Sequence, residues 1–270
     1  MPKLPPSMTV AIPNPAAPPH PADVASPGAA AADALHWNAC GHDILLHTDP
    51  AVFRPTVTTA LLTAEVLRAG VCGRSVLDLG CGSGPIAIAV ARAGAAAVCA
   101  SDLMPEACEL TRRNAAANRV AARVEVLQGD LFAAVGDRRF DVIVDDVSGV
   151  AEEVAVVSSW FPPSVPLGGS DGTRLAVEML RQSPRHLAPG GALWFPVLSL
   201  SNAPRIVAVA GEVYGDRVEL VAAKLIPFSP ELKDNLPTLS RLRDRGLISF
   251  EQVRSRLCWT LEIYRATAPA

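Results

Sequence analysis

The stretch Ser75–Pro85, Ser-Val-Leu-Asp-Leu-Gly-Cys-Gly-Ser-Gly-Pro, constrains this chain more than any other. Val76, Leu77 and Leu79 form a short apolar run, the composition of a strand buried on both faces of a parallel sheet. Gly80, Gly82 and Gly84 follow as a loop whose missing side chains let a ligand approach the backbone. Pro85 suits the first turn of a helix, where there is no amide hydrogen bond to lose. Strand, glycine loop and helix start are the parts of a nucleotide site. A dinucleotide fingerprint requires a third glycine where Pro85 stands, and a P-loop requires Lys followed by Ser or Thr. The chain has neither.

At 270 residues, half of them hydrophobic, the chain can bury the core of one large α/β domain. No apolar run is long enough for a transmembrane helix. A net charge of −3 and a pI near 6.0 argue against nucleic acid or an anionic membrane as partner. The six cysteines (40, 72, 81, 99, 108 and 258) show neither metal-ligand nor paired spacing, which points to a reduced, cytoplasmic protein. His36, His42 and His47 match no zinc pattern and read as surface or capping residues, so no metal is expected.

Residues 1–34 are rich in Pro and Ala and nearly free of large apolar side chains, the composition of a disordered tail. Residues 35–74 read as an N-terminal helical segment or lid, with a short strand at His42–His47 and a helix carrying Leu61, Leu62, Val66 and Leu67. From 75 to 270 strands and helices alternate. Strands are expected at 75–79, 97–100, 124–127, 140–144, 192–197, 218–225 and 258–264, and helices at 86–93, 104–118, 172–187, 202–213 and within 230–256. This is the pattern of an α/β, Rossmann-like, seven-stranded doubly wound sheet with its ligand at the carboxyl ends of the strands. Asp102, closing the second strand, is placed for a carboxylate that accepts the ribose hydroxyls.

Asp78 followed by Gly80-x-Gly82-x-Gly84 resembles motif I of the class I S-adenosylmethionine (SAM) methyltransferases. From about Val52 to Val197 the chain is similar to their HemK/PrmC branch, which modifies a glutamine amide in release factors. The shared features are motif I, Asp102, Asn114, Gly129-Asp130, Phe140-Asp141, Gly168-Gly169-Ser170-Asp171-Gly172 and Leu187-Ala188-Pro189-Gly190-Gly191. The resemblance implies SAM as cofactor, with Asp130 receiving the adenine amino group and Leu131 or Phe132 covering the ring. Phe53, Leu103 and Asp145 complete the expected cofactor set. The branch carries Asn-Pro-Pro-Tyr after its fourth strand, where this chain has Asp146-Val147-Ser148-Gly149.

Without the proline pair and the aromatic, the expected reaction is methyl transfer to a small molecule. Asp146, Ser148 and Trp160 are its catalytic candidates, His186 is a second candidate base, and Phe161 stands with Trp160 as an acceptor-lining aromatic. Three alternatives stay open: cyclisation of SAM to azetidine-2-carboxylate and methylthioadenosine, protein glutamine N-methylation, and SAM binding without turnover.

Overall fold

The computed structural model describes residues 34–147, 149–158, 160–163 and 165–270. The expected tail, except for Ala34, lies outside them. The stretch expected to be helical from residue 35 begins instead as an antiparallel hairpin of β1 (Ala34–Ala39) and β2 (His42–His47). Cys40 and Gly41 turn it, both with positive φ. α1 (Val57–Ala69) then starts on a capping box, the Thr56 and Thr59 hydroxyls each accepting a backbone amide of the first turn.

Strand and helix alternate from there: β3 (Ser75–Leu79), α2 (Pro85–Arg92), β4 (Ala97–Asp102), α3 (Pro105–Ala117), β5 (Val124–Gln128) and β6 (Phe140–Asp145). α4 (Glu152–Ser158) and α5 (Arg174–Gln182) precede β7 (Leu187–Leu198), and α6 (Ala203–Tyr214) leads to β8 (Val218–Pro227). The chain closes with α7 (Pro230–Asp234), α8 (Leu236–Asp244), β9 (Glu251–Val253) and β10 (Arg256–Thr267). The sheet order is β5-β4-β3-β6-β7-β10-β8, with β9 added beside β10. β3 to β7 run parallel and the last three strands antiparallel.

Three expectations differ locally. Helix 172–187 resolves into α5 and a 3-10 turn at Ser183–Arg185, because Pro184 has no amide hydrogen to continue the ladder. The Gly190-Gly191 turn lies inside β7, where the pairing register with β6 slips between Phe140 and Val142. The helical stretch 230–256 ends in β9 rather than in helix.

Alternation along the strands fills both faces. Val76, Val142 and Trp194 join the core beneath α1, α2 and the hairpin, while their neighbours Leu77, Ile143 and Phe195 join the core beneath α5 and α6. Order reverses at β3, with β4 on one side and β6 on the other, so the connections after β3 and β6 diverge and open a crevice at their carboxyl ends.

Candidate active site

The crevice is built around the glycine loop. Gly80 and Cys81 donate to the Ser101 carbonyl at 2.9 and 3.0 Å, folding the loop across the end of β4. Gly80 and Gly84 have φ of +71° and +84°, and a Cβ on either would lie 3.0 Å from Val147 or Thr111. Only glycine fits both demands. Asp102 accepts the Gly82 amide through one oxygen and the Met104 amide through the other, each at 2.9 Å. Burial raises its pKa, and these amides oppose the rise.

Asp78 is fully buried beneath the loop. One of its oxygens accepts the Ala87 amide at 3.0 Å, tying the first turn of α2 to β3; the other has no partner. Across the sheet, Leu79 pairs with Asp145, whose buried Oδ1 is also unpartnered, as is the Ser83 hydroxyl in the loop. Asp146 follows at the mouth of β6, half-buried, and its Oδ2 receives the Thr59 hydroxyl of α1 at 2.7 Å. Desolvation first, then the neighbouring acid Asp146, push Asp78 and Asp145 up to about 8. Desolvation raises Asp146 to about 7 against the Thr59 hydrogen bond. Among the described residues no Lys, Arg or His side chain pairs with any of the three.

Buried carboxyls without cations, unpartnered polar atoms and a loop cleared of side chains make a receptor for a cationic ligand that approaches the backbone closely. SAM fits: its sulfonium and ammonium supply the missing positive charge, and its hydroxyls and amino group need acceptors such as Asp102.

Phe53 crosses the loop, its carbonyl 3.5 Å from where a Gly82 Cβ would stand, and its ring stacks on Phe161 at 5.0 Å between centroids. Trp160 is half-buried and tilts against Trp259 at 6.2 Å. Leu103 and Asp130 are exposed, and Leu131 is buried with a φ of +43° just after β5. The structure thus gathers Phe53, Asp78, Gly80, Gly82, Gly84, Asp102, Asp145 and Asp146 around one loop.

His186 and Phe132 lie away from it. His186 hydrogen-bonds the Arg138 carbonyl beside the start of β6, at the opposite end of that strand from the crevice, so it is no candidate base. Phe132 is buried and stacked on His186 at 4.4 Å, which leaves Leu131 of the pair to cover an adenine. Ser148 lies outside the described residues. Thr59 was missed; the Thr56-x-x-Thr59 capping spacing signalled its helical position, but not its reach to Asp146.

Strand order and glycine loop together give the fold of the class I SAM-dependent methyltransferases. Residues 55–151 match the family of ribosomal protein L11 methyltransferase (PrmA). Within the class, the sequence is similar to glutamine methyltransferases of the HemK/PrmC kind. The chain is 36% identical over 180 residues to the release factor glutamine methyltransferase of Geobacter sulfurreducens, a match covering 63% of this chain and 60% of that protein. It is 38% identical over 123 residues to the ribosomal protein uL3 glutamine methyltransferase of Bradyrhizobium diazoefficiens, covering 44% and 39%. The 16S rRNA N2 G1207 methyltransferase of T. thermophilus shares the fold with a TM-score of 0.57 and 19% identity, over 87% of this chain and 50% of that one. The chain therefore spans about three fifths of the length of its release-factor relative.

These findings overturn the expected small-molecule acceptor and small-molecule partner. The sequence relatives are named for glutamines of release factors and of a ribosomal protein. The lost Asn-Pro-Pro-Tyr weighed too heavily in that expectation, since the other features of the resemblance stood on either side of it.

Proposed function

We propose that the protein transfers the methyl group of SAM to the side-chain amide nitrogen of a glutamine in a protein substrate of the translation apparatus. The observation that carries this reading is Asp146: it stands where the branch the sequence resembles has its asparagine, beside the glycine loop, half-buried, with one oxygen held by the Thr59 hydroxyl. A carboxylate oxygen accepts an amide N–H as an asparagine carbonyl does. When bound, SAM supplies a methyl group on a positively charged sulfur. Asp102 holds the ribose, and Asp130 and Leu131 hold the adenine. The carboxyls of Asp78 and Asp145 balance the cofactor's positive charge. Asp146 would accept an N–H of the acceptor amide, orient its nitrogen and take the proton that nitrogen gives up when it gains the methyl group, the S–CH3 bond of SAM breaking to leave neutral S-adenosylhomocysteine. The stacked Phe53 and Phe161, at the rim of the loop, flatten the acceptor in place of the absent tyrosine. The reading implies a cytoplasmic enzyme.

Two variants separate the roles. With a recombinant bacterial release factor and radiolabelled SAM, Asp146→Ala is expected to cut methyl transfer by about a hundredfold or more and leave SAM affinity nearly unchanged. Asp102→Ala is expected to weaken SAM binding in calorimetry by about tenfold or more. Full transfer by Asp146→Ala would overturn the assignment, as would intact SAM affinity in Asp102→Ala.

A further inference from the structure

We infer that Thr59 is a positioning residue: its hydroxyl fixes which oxygen of Asp146 faces the acceptor. The inference rests on the glutamine reading above, because it concerns the group that meets the amide. Thr59 belongs to α1, far from β6 in sequence, and is 2% exposed. Its hydroxyl accepts the Thr56 amide at 3.1 Å and donates its single proton to Asp146 Oδ2 at 2.7 Å. The incoming amide leaves that proton no other direction, so the carboxyl is pinned on one side and presents Oδ1 to the crevice.

The pinning matters because Asp146 sits where a carboxylic acid can hold its proton near neutral pH. Protonated, it could no longer take the proton that the acceptor nitrogen gives up. Among the described residues, the charged groups coupled to it are Asp78 on β3 and Asp145 on its own strand, both acids, and α1 contributes the Thr59 hydroxyl. A hydrogen bond to the ionised form favours that form, so the Thr59 hydroxyl keeps Asp146 ionised, and able to take a proton, at lower pH than burial alone would permit. Its loss raises the pH at which Asp146 ionises.

The test is the titration of Asp146 in the full-length protein, followed by 13C NMR of labelled aspartate carboxyls and assigned with Asp146→Asn. Thr59→Val is expected to move the midpoint upward by about one pH unit, and Thr59→Ser to restore it. Thr59→Ala serves equally should valine leave the protein unfolded. Thr56→Ala removes a cap side chain of the same helix turn but keeps the Thr59–Asp146 bond, and is expected to leave the midpoint in place. An unmoved midpoint in Thr59→Val or Thr59→Ala would overturn the inference, as would an equal shift in Thr56→Ala, which would mark the effect as loosening of the helix. The acidic limb of the pH profile for methyl transfer to release factor should follow the same order among the variants. Because the titration needs no acceptor, absence of methyl transfer would count against the glutamine reading and leave the Thr59–Asp146 result to stand or fall separately.

Discussion

At the scale of the residue, Asp78 and Asp145 carry the clearest physical signature. A carboxyl whose folded pKa lies at about 8, against 3.8 ordinarily, keeps its proton over a range where the unfolded chain has lost it. Stability from such a group is fully present below about pH 4 and is lost as pH rises toward 8. The melting temperature of the ligand-free protein is therefore expected to fall between pH 5 and pH 8, and Asp145→Asn, which cannot ionise, should flatten the fall. A melting temperature that climbs across that window, with no change in Asp145→Asn, would contradict the assignment. SAM should oppose the loss, because its positive charge favours the ionised carboxyls. Charge and burial of this kind were hidden in the sequence: Asp78 was legible as a motif residue, but nothing there distinguished a buried unpartnered carboxyl from a capping one.

Among the elements, the hairpin depends on two asparagines one turn apart, Asn114 in α3 and Asn118 at its C-terminal cap. Asn118 accepts the Leu45 amide at 3.1 Å and donates to the Leu45 carbonyl at 2.7 Å, giving β2 the pairing a neighbouring strand would give. Asn114 does the same for His47 and adds a 2.8 Å bond to the Ser83 carbonyl, so one buried amide joins the hairpin to the glycine loop. Asn114→Ala strands these backbone groups and should cost about 2 to 4 kcal/mol in denaturant unfolding. A change within half a kcal/mol would show that water or repacking replaces the side chain. Periodicity and turn residues made β3 to β6 and their helices legible to within a residue or two at most ends, because each is long or strongly apolar. α4 was not legible. Its seven residues carry Val154 and Ala155 toward the core, too short a run for helical spacing to register. β9 is shorter still, and only its pairing with β10 defines it.

Over the whole molecule, the strand order puts the glycine loop, the end of β4 and the mouth of β6 at one switch point, so the proposed cofactor residues and Asp146 converge although they come from separate stretches of chain. That convergence was legible, since alternating strands and helices admit few topologies. The acceptor was not. In sequence, the four residues after Asp145 depart from the motif of the branch the chain resembles, and a short motif says what a site has lost before it says what replaces it. Here α1 supplies a hydroxyl to Asp146, and Phe53 and Phe161 supply aromatic surface from two other segments. The most direct measurement is mass spectrometry of both products after the protein is incubated with SAM and a bacterial release factor. The account predicts one added methyl group on a glutamine amide, with an equal amount of S-adenosylhomocysteine. Methylthioadenosine formed from SAM, or SAM left intact beside an unmodified release factor, would contradict it.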